Sequence, residues 1–159
     1  MEPTDLLIRR YRPADQPAVW NLHVVAMRQI EAYLDDPALE TDLHDIAGVY
    51  LNNRGDFLIG EAAGTVVAMG ALRPLASERG EIKRMRVDPA LQGRGYGRAM
   101  LLALEARARE LGYTTLELET SVVQSAALGL YRSHGFVEFK RGKIKRLDCI
   151  WFEKSLEAS

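Results

Sequence analysis

Residues 81–119 read EIKRMRVDPALQGRGYGRAMLLALEARARELGYTTLELE, and the order of patterns inside them decides the fold. Residues 81–87 form an extended run that stops at Asp88 and Pro89, because proline biases the residue before it away from helix. A glycine-rich loop follows. From Gly95 to Leu111 the apolar residues Tyr96, Met100, Ala103, Leu104 and Leu111 make one helical stripe. Arg98, Glu105 and Arg109 take the opposite face, with Glu105 and Arg109 in the favourable order for an i,i+4 ion pair. Gly112 ends the helix. Leu116 and Leu118 then alternate with Thr115, Glu117 and Glu119, which is the period of a strand. Strand, loop, helix and strand make a βαβ unit, for which parallel strands are expected.

Outward from this unit, residues 6–11 read as an opening strand. A helix is expected from an N-cap at Asp15 to about Tyr33, with Trp20, Val24, Met27, Ile30 and Leu34 at steps of three and four. Residues 39–51 suggest a second, shorter helix interrupted by Gly48. Residues 56–62 and 65–72 form a hairpin across Ala63 and Gly64. Downstream, residues 124–134 carry Val123, Ala127, Leu130 and His134 on one side of a helix that Gly135 stops. Residues 136–139 and 147–152 close the chain as strands. There is no repeat, low-complexity tract or linker, so residues 1–159 are expected to form one α/β domain. Its sheet should be mixed, mostly antiparallel and flanked by helices, with the βαβ unit at its centre.

Composition narrows the classes. At 159 residues, 47% hydrophobic and 27% charged, the chain has ordinary globular values, which exclude disorder and a disulfide scaffold as overall descriptions. A net charge of -1 gives no whole-molecule field toward nucleic acid or an anionic membrane, and no basic-aromatic interleaving suggests RNA. The only cysteine, Cys149, cannot form an internal disulfide, and no 18-residue apolar run occurs, so a cytoplasmic setting is the default. His23, His44 and His134 are too scattered for a metal cluster, and these three and Cys149 read as structural.

Chemistry is expected in the loop Gln92, Gly93, Arg94, Gly95, Tyr96, Gly97, Arg98. Free backbone N–H groups at a helix N-terminus favour an anion, and glycines let a phosphate approach closely, so a diphosphate is the expected guest. A dinucleotide fingerprint needs glycine or alanine where Arg98 stands, and a P-loop needs Lys followed by Ser or Thr where Arg98 and Ala99 stand.

What fits is Gln, x, x, Gly, x, Gly after a strand ending in Val, Asp, Pro, and here the chain resembles the GCN5-related N-acetyltransferase (GNAT) family. The resemblance covers residues 6–153 and is most specific over 81–136. It implies the acyl-CoA N-acyltransferase fold, with the loop from Gln92 to Gly97 around the pyrophosphate of acetyl-CoA and the backbone of Met85, Arg86 and Val87 along the pantetheine arm. A second family motif, Asn, x, x, Ala, x, x, x, Tyr, x, x, x, Gly, Phe, is matched by Ala127, Tyr131, Gly135 and Phe136, with Gln124 in place of the asparagine. By the same resemblance Tyr131 is the general acid for the departing thiolate. Glu81, eleven residues before Gln92, is the candidate base, with ordered water as the alternative.

Acceptor recognition is less specific. Six acids (Glu31, Asp35, Asp36, Glu40, Asp42, Asp45) would attract a cationic amine. Lys140, Arg141, Lys143, Lys145 and Arg146, placed at the tip of the last hairpin, could hold a carboxylate or a cofactor phosphate. The expected activity is transfer of an acetyl group from acetyl-CoA to a small-molecule amine or amino-acid-like acceptor, by direct attack in a ternary complex and without a metal. The alternative is a non-catalytic acyl-CoA-binding regulatory module. Dimers are frequent among similar proteins, which leaves a homodimer open.

Overall fold

The computed structural model describes residues 5–30, 34 and 36–156. Seven strands form one sheet in the order β1-β2-β3-β4-β5-β7-β6. They are β1 (Leu7–Arg10), β2 (Asp56–Ala62), β3 (Thr65–Pro74), β4 (Arg79–Val87), β5 (Thr115–Ser121), β6 (Val137–Ile144) and β7 (Leu147–Ser155). Every neighbouring pair is antiparallel except β4 and β5, which run parallel as a βαβ crossover requires. The helices are α1 (Gln16–Gln29), α2 (Tyr96–Glu110) and α3 (Ser125–Ser133). No helix among the described residues is long and apolar enough to cross a membrane.

Side-chain alternation divides the core between the sheet's two faces. On one face Leu58, Ala68, Leu72 and Ile82 pack against Met100, Leu101, Leu104 and Ala108 of α2, and Tyr131 and Phe136 join them. On the other, Phe57, Ile59, Met69 and Ala71 pack against Val19 and Leu22 of α1 and against Leu43, Ile46 and Tyr50. The β2–β3 turn has Ala63 at φ 52° and Gly64 at φ 80°, the pair of positive angles that matches the twist of a two-residue hairpin.

Three local expectations are corrected. Residues 39–51 are not a helix: two short 3-10 turns are followed by a π-turn at Ala47–Leu51. The Asp45 carboxylate accepts from the Gly48 amide at 3.2 Å, capping a new turn instead of letting the previous one continue. Glu105 does not face solvent with Arg109; it is 2% exposed and meets Lys154 Nζ of β7 at 2.6 Å. The final hairpin is longer than expected, so Lys140, Arg141 and Lys143 lie on the edge strand β6 and not at its tip. The expected end of the first helix at Tyr33 lies outside the described residues, and α1 runs to Gln29.

Two features of β4 shape the site. Its pairing with β5 runs from Arg79–Thr115 to Ile82–Leu118 and stops there, although both strands continue. On its other side the register against β3 slips between Met69 and Ala71, which face Arg86 and Lys83 respectively. That slip is a β-bulge, and within it Arg84 takes φ 58°, a left-handed conformation uncommon for a non-glycine residue. Asp42 holds it there, accepting from Arg84 Nε at 2.9 Å and Nη2 at 2.7 Å, while Nη2 also donates to the Leu39 carbonyl. The Tyr50 hydroxyl donates to the same carboxylate. Burial works to raise the Asp42 pKa, but these bonds hold it down at about 2.

Candidate active site

Where β4 and β5 part, the sheet opens into two connected spaces. One is a cleft of about 480 Å3 bordered by Val87, the loop residues Gln92, Gly93, Gly95, Tyr96, Gly97 and Arg98, and α3. The other is a cavity of about 190 Å3 on the far side of Tyr131. Met27, Met85, Arg86, Gln124 and Tyr131 line both and mark the passage between them.

The cleft end is built from backbone. Asp88 accepts from the Ala90 amide at 3.0 Å, setting the short turn that leads into the loop. Gly93 at φ 83° and Gly95 at φ 84° both take left-handed conformations, Gly95 at the N-cap of α2. The first helical bond there runs from the Ala99 amide to the Gly95 carbonyl at 3.0 Å, so the amides of residues 96–98 precede the helical ladder and carry the dipole's positive end. Gln92 to Gly95 are exposed. The Tyr96 ring is turned inward, its hydroxyl donating to Asp5 at 2.6 Å, which leaves its main chain for the cleft. Arg94 lies by the Tyr96 hydroxyl and is the one residue of the expected loop set that does not border the cleft.

At the passage, Tyr131 is 5% exposed and packs edge-on against Phe136, with ring centroids 5.8 Å apart. Its hydroxyl has no hydrogen-bond partner among the described residues, although buried tyrosine hydroxyls usually find one. Burial pushes this phenol up to about 12, against the opposing pull of the Arg86 guanidinium, so it keeps its proton at neutral pH. Gln124 stands at the start of α3, with Nε2 donating to Ser121 Oγ at 3.1 Å.

The cavity beyond holds most of the remaining charge. Glu81 borders it, with Oε1 accepting from Arg73 Nε at 2.6 Å. Glu119 of β5 borders it too, one residue past the last β4–β5 pair, and burial raises its pKa beside Cys149. Cys149 is 2% exposed and its thiol is pushed by burial up to about 12, so it stays protonated. His23, read as structural, forms part of the wall: Arg86 Nε donates to its Nδ1 at 3.3 Å, and its Nε2 stands 2.9 Å from Glu40. Burial, followed by the fields of Arg86 and Arg84, drops the His23 pKa to about 2, so its contact with Glu40 is not an ion pair at neutral pH. His44 stacks on Trp20 and His134 bonds the Leu130 carbonyl. Among the described residues no three His, Cys, Asp or Glu side chains cluster as a metal site.

Glu119 was not singled out in the sequence because its alternation with Glu117 looks like an ordinary solvated strand face. Glu117 does meet Arg79 on that face, whereas Glu119 lies just past the point where the seam opens. The charge runs are corrected as well. Of the acidic set, Asp42 binds Arg84, Glu40 lies beside His23, Asp36 meets Lys145 at 3.2 Å and Asp45 caps Gly48; Glu31 and Asp35 lie outside the described residues. Of the basic set, Lys140 covers the Trp151 ring, Arg141 pairs with Glu138 and Lys143 with Asp148. Among the described residues neither run forms an open wall of one sign.

The model of the Acetyltransferase (GNAT) family matches residues 17–136. The chain belongs to this family. The IAA acetyltransferase of Azospirillum brasilense is 36% identical over 118 residues, 72% of this chain and 76% of that one. Aligned with the probable N-acetyltransferase family 8 member 5 of Mus musculus (34% identical) and N-acetyltransferase 8F1 of Rattus norvegicus (37% identical), the chain spans about half of their length, 51% and 47%. Among solved structures, an acetyltransferase of the GNAT family from Staphylococcus aureus Mu50 superposes with a TM-score of 0.88 at 21% identity, covering 96% of this chain and 99% of that one. The Salmonella typhimurium protein yncA, solved with its cofactor acetyl-CoA, superposes at 0.74 and 20% identity over 98% and 96% of the two chains.

Proposed function

We propose that this protein is an acetyl-CoA-dependent N-acetyltransferase, transferring the acetyl group to a primary amine by direct attack in a ternary complex. The observation that carries the reading is the open seam: the free edge of β4 over residues 83–87 leads from the anion-binding loop to an unpartnered Tyr131 hydroxyl. An extended pantetheine arm adds to that edge as a short strand would. The diphosphate lies on the amides of residues 92–98, and the thioester reaches the passage beside Tyr131.

Removing the proton of an alkylammonium at pH 7 costs roughly 4.6 kcal/mol, so a base is useful. Glu119 is the better placed of the two carboxylates, because Glu81 has one oxygen engaged by Arg73 and burial raises the basicity of Glu119. Glu119 first takes the ammonium proton and releases it to solvent; the neutral nitrogen then attacks the carbonyl carbon, the C–N bond forms, the C–S bond breaks, and the nitrogen's remaining surplus proton passes to Glu119 or to water beside Glu81. Tyr131 donates a hydrogen bond to the departing sulfur and hands over its proton as the thiolate leaves. With its pKa at about 12 the phenol is a weak acid, so its main effect is to stabilise the developing thiolate, and water reprotonates it after transfer. Cys149, a protonated thiol in the cavity wall, is not needed as a nucleophile.

The test is release of free thiol from acetyl-CoA over a library of amines, with CoA binding followed by calorimetry. Tyr131→Phe keeps CoA affinity and loses about 10²- to 10⁴-fold in turnover, the range for a positioned acid. Undiminished turnover in that variant removes Tyr131 from the mechanism. CoA binding with no turnover of any amine points instead to a non-catalytic acyl-CoA-binding module.

A further inference from the structure

The chain has five lysines, and four of them are engaged away from the cavity. Lys140 covers the Trp151 ring, Lys143 meets Asp148, Lys145 meets Asp36 and Lys154 meets Glu105. The fifth, Lys83, borders the cavity of about 190 Å3 together with Tyr131 and Glu119. The fields of Glu81 and Asp42 favour its charge, but no hydrogen bond ties its ammonium to another of the described residues. Its head group is therefore balanced without being fixed in place.

The register of the seam decides what Lys83 faces. Ile82 and Leu118 form the last β4–β5 pair, and both enter the core on the α2 face. The next residue on each strand, Lys83 and Glu119, therefore points to the opposite face, one on either side of the opening. Ala71, the β3 partner of Lys83, packs on that face as well. Burial raises the Glu119 pKa, and the Lys83 charge is among those that pull it back down. Lys83 thus presents to Glu119 the kind of ammonium that an acceptor would bring. Burial, followed by the fields of Arg84 and Arg73, lowers the Lys83 pKa, so its proton is removed more easily than that of a lysine in water. Met85, two residues further along β4, borders both the cavity and the cleft that leads to the loop. Two strand positions span roughly 6–7 Å, comparable to the reach of a lysine's flexible four-carbon stem.

The geometry points to Lys83 as a site of self-acetylation: with acetyl-CoA bound and no external amine in the cavity, Lys83 Nζ takes the acetyl group. This rests on the acetyltransferase reading. Glu119 first takes one ammonium proton and releases it to solvent. The neutral Nζ attacks the thioester carbonyl carbon, the C–N bond forms and the C–S bond breaks. Nitrogen then loses one further proton to Glu119, and the departing thiolate takes a proton from Tyr131, which water restores. The products are an uncharged amide at Lys83 and free CoA thiol.

The experiment incubates the full chain with acetyl-CoA and no amine, and follows intact mass, peptide mapping and thiol release. Lys83 should gain one acetyl group per chain, at a rate independent of protein concentration. That rate should exceed the rate at any surface lysine by about 10²-fold or more, the low end of what a positioned acid contributes. In Tyr131→Phe it should fall by about 10²- to 10⁴-fold. Lys83→Arg should remove the modification; if that variant fails to fold, the Tyr131→Phe comparison decides. Acetyl groups spread evenly over the five lysines, or an equal rate at Lys83 in the urea-unfolded chain, would reveal uncatalysed chemistry and overturn the inference. Turnover of external amines with Lys83 left unmodified overturns it too, while the transferase reading stands. Modification of Lys83 without turnover of any external amine supports it, the chain itself being the acceptor. If CoA binds and neither modification nor turnover occurs, both readings fall.

Discussion

His23 shows how a single side chain records the polarity of its surroundings. It accepts from Arg86 on Nδ1, so its proton sits on Nε2, the nitrogen 2.9 Å from Glu40. Its pKa is about 2 in the folded chain and near 6.5 when unfolded, so between these values the unfolded state binds the extra proton. Stability contributed by neutral His23 is complete above pH 6.5 and declines as pH falls below it, by up to about 1.4 kcal/mol per pH unit. Glu40 and Glu119, raised by burial, act in the opposite direction over the acid range, so the His23 part must be isolated by difference. In His23→Gln the amide can keep both polar contacts but cannot titrate. Urea unfolding at pH 7.5, 6.5 and 5.5 should show the wild type losing about 1 kcal/mol per unit more than the variant below pH 6.5. Parallel losses would mean that His23 is already protonated in the folded chain.

At the scale of elements, the bulge in β4 is the decisive irregularity. It redirects the strand between Lys83 and Arg86 just where β5 departs, and its left-handed residue is anchored by Asp42 from the segment between α1 and β2. Asp42→Ala leaves the half-buried Arg84 charge without its partner and the Tyr50 hydroxyl without its acceptor. A loss of about 3–5 kcal/mol in urea unfolding is expected, together with weaker CoA binding by calorimetry as the bulge relaxes. A loss below about 1 kcal/mol, within the range of a surface pair, would show that the bulge does not depend on this anchor. The bulge also explains why the sequence was legible only in part. The periods of two and 3.6 in residues 81–119 located β4, α2 and β5 to within two residues, and glycines at 93, 95 and 97 marked the loop. No glycine or proline marks Arg84 as left-handed, so neither the bulge nor the parting of the seam could be read. Lys83 and Arg86 consequently looked like ordinary strand residues, although both border the cavity. Asp42 looked like part of a cationic-acceptor wall because its partner, Arg84, comes from β4, far along the chain.

Across the whole molecule, the sheet behaves as two halves joined by a short parallel seam. β1 to β4 form an antiparallel half, β5, β7 and β6 the other, and only the pairs from Arg79–Thr115 to Ile82–Leu118 connect them by strand pairing. Tyr131 and Phe152 from the second half share one core with Leu58, Leu72 and Met100, so packing on the α2 face holds the halves together where hydrogen bonds do not. A ligand filling the seam would supply the missing ladder. Amides of residues 83–87 that face β5 should therefore exchange with deuterium early in the free protein, whereas amides of β3, paired on both sides, exchange late. Adding CoA at about a hundred times its Kd stabilises the folded state by about 2.7 kcal/mol, raising Tm by roughly 5–10 °C for a chain of this length. Protection should appear first at residues 83–87 and at residues 96–98 of α2, and only weakly in β1 and β6 at the sheet's edges. Slow exchange at residues 83–87 without ligand, or an increase in Tm with no local protection there, would place the coenzyme outside the seam and remove the structural basis for the transfer geometry.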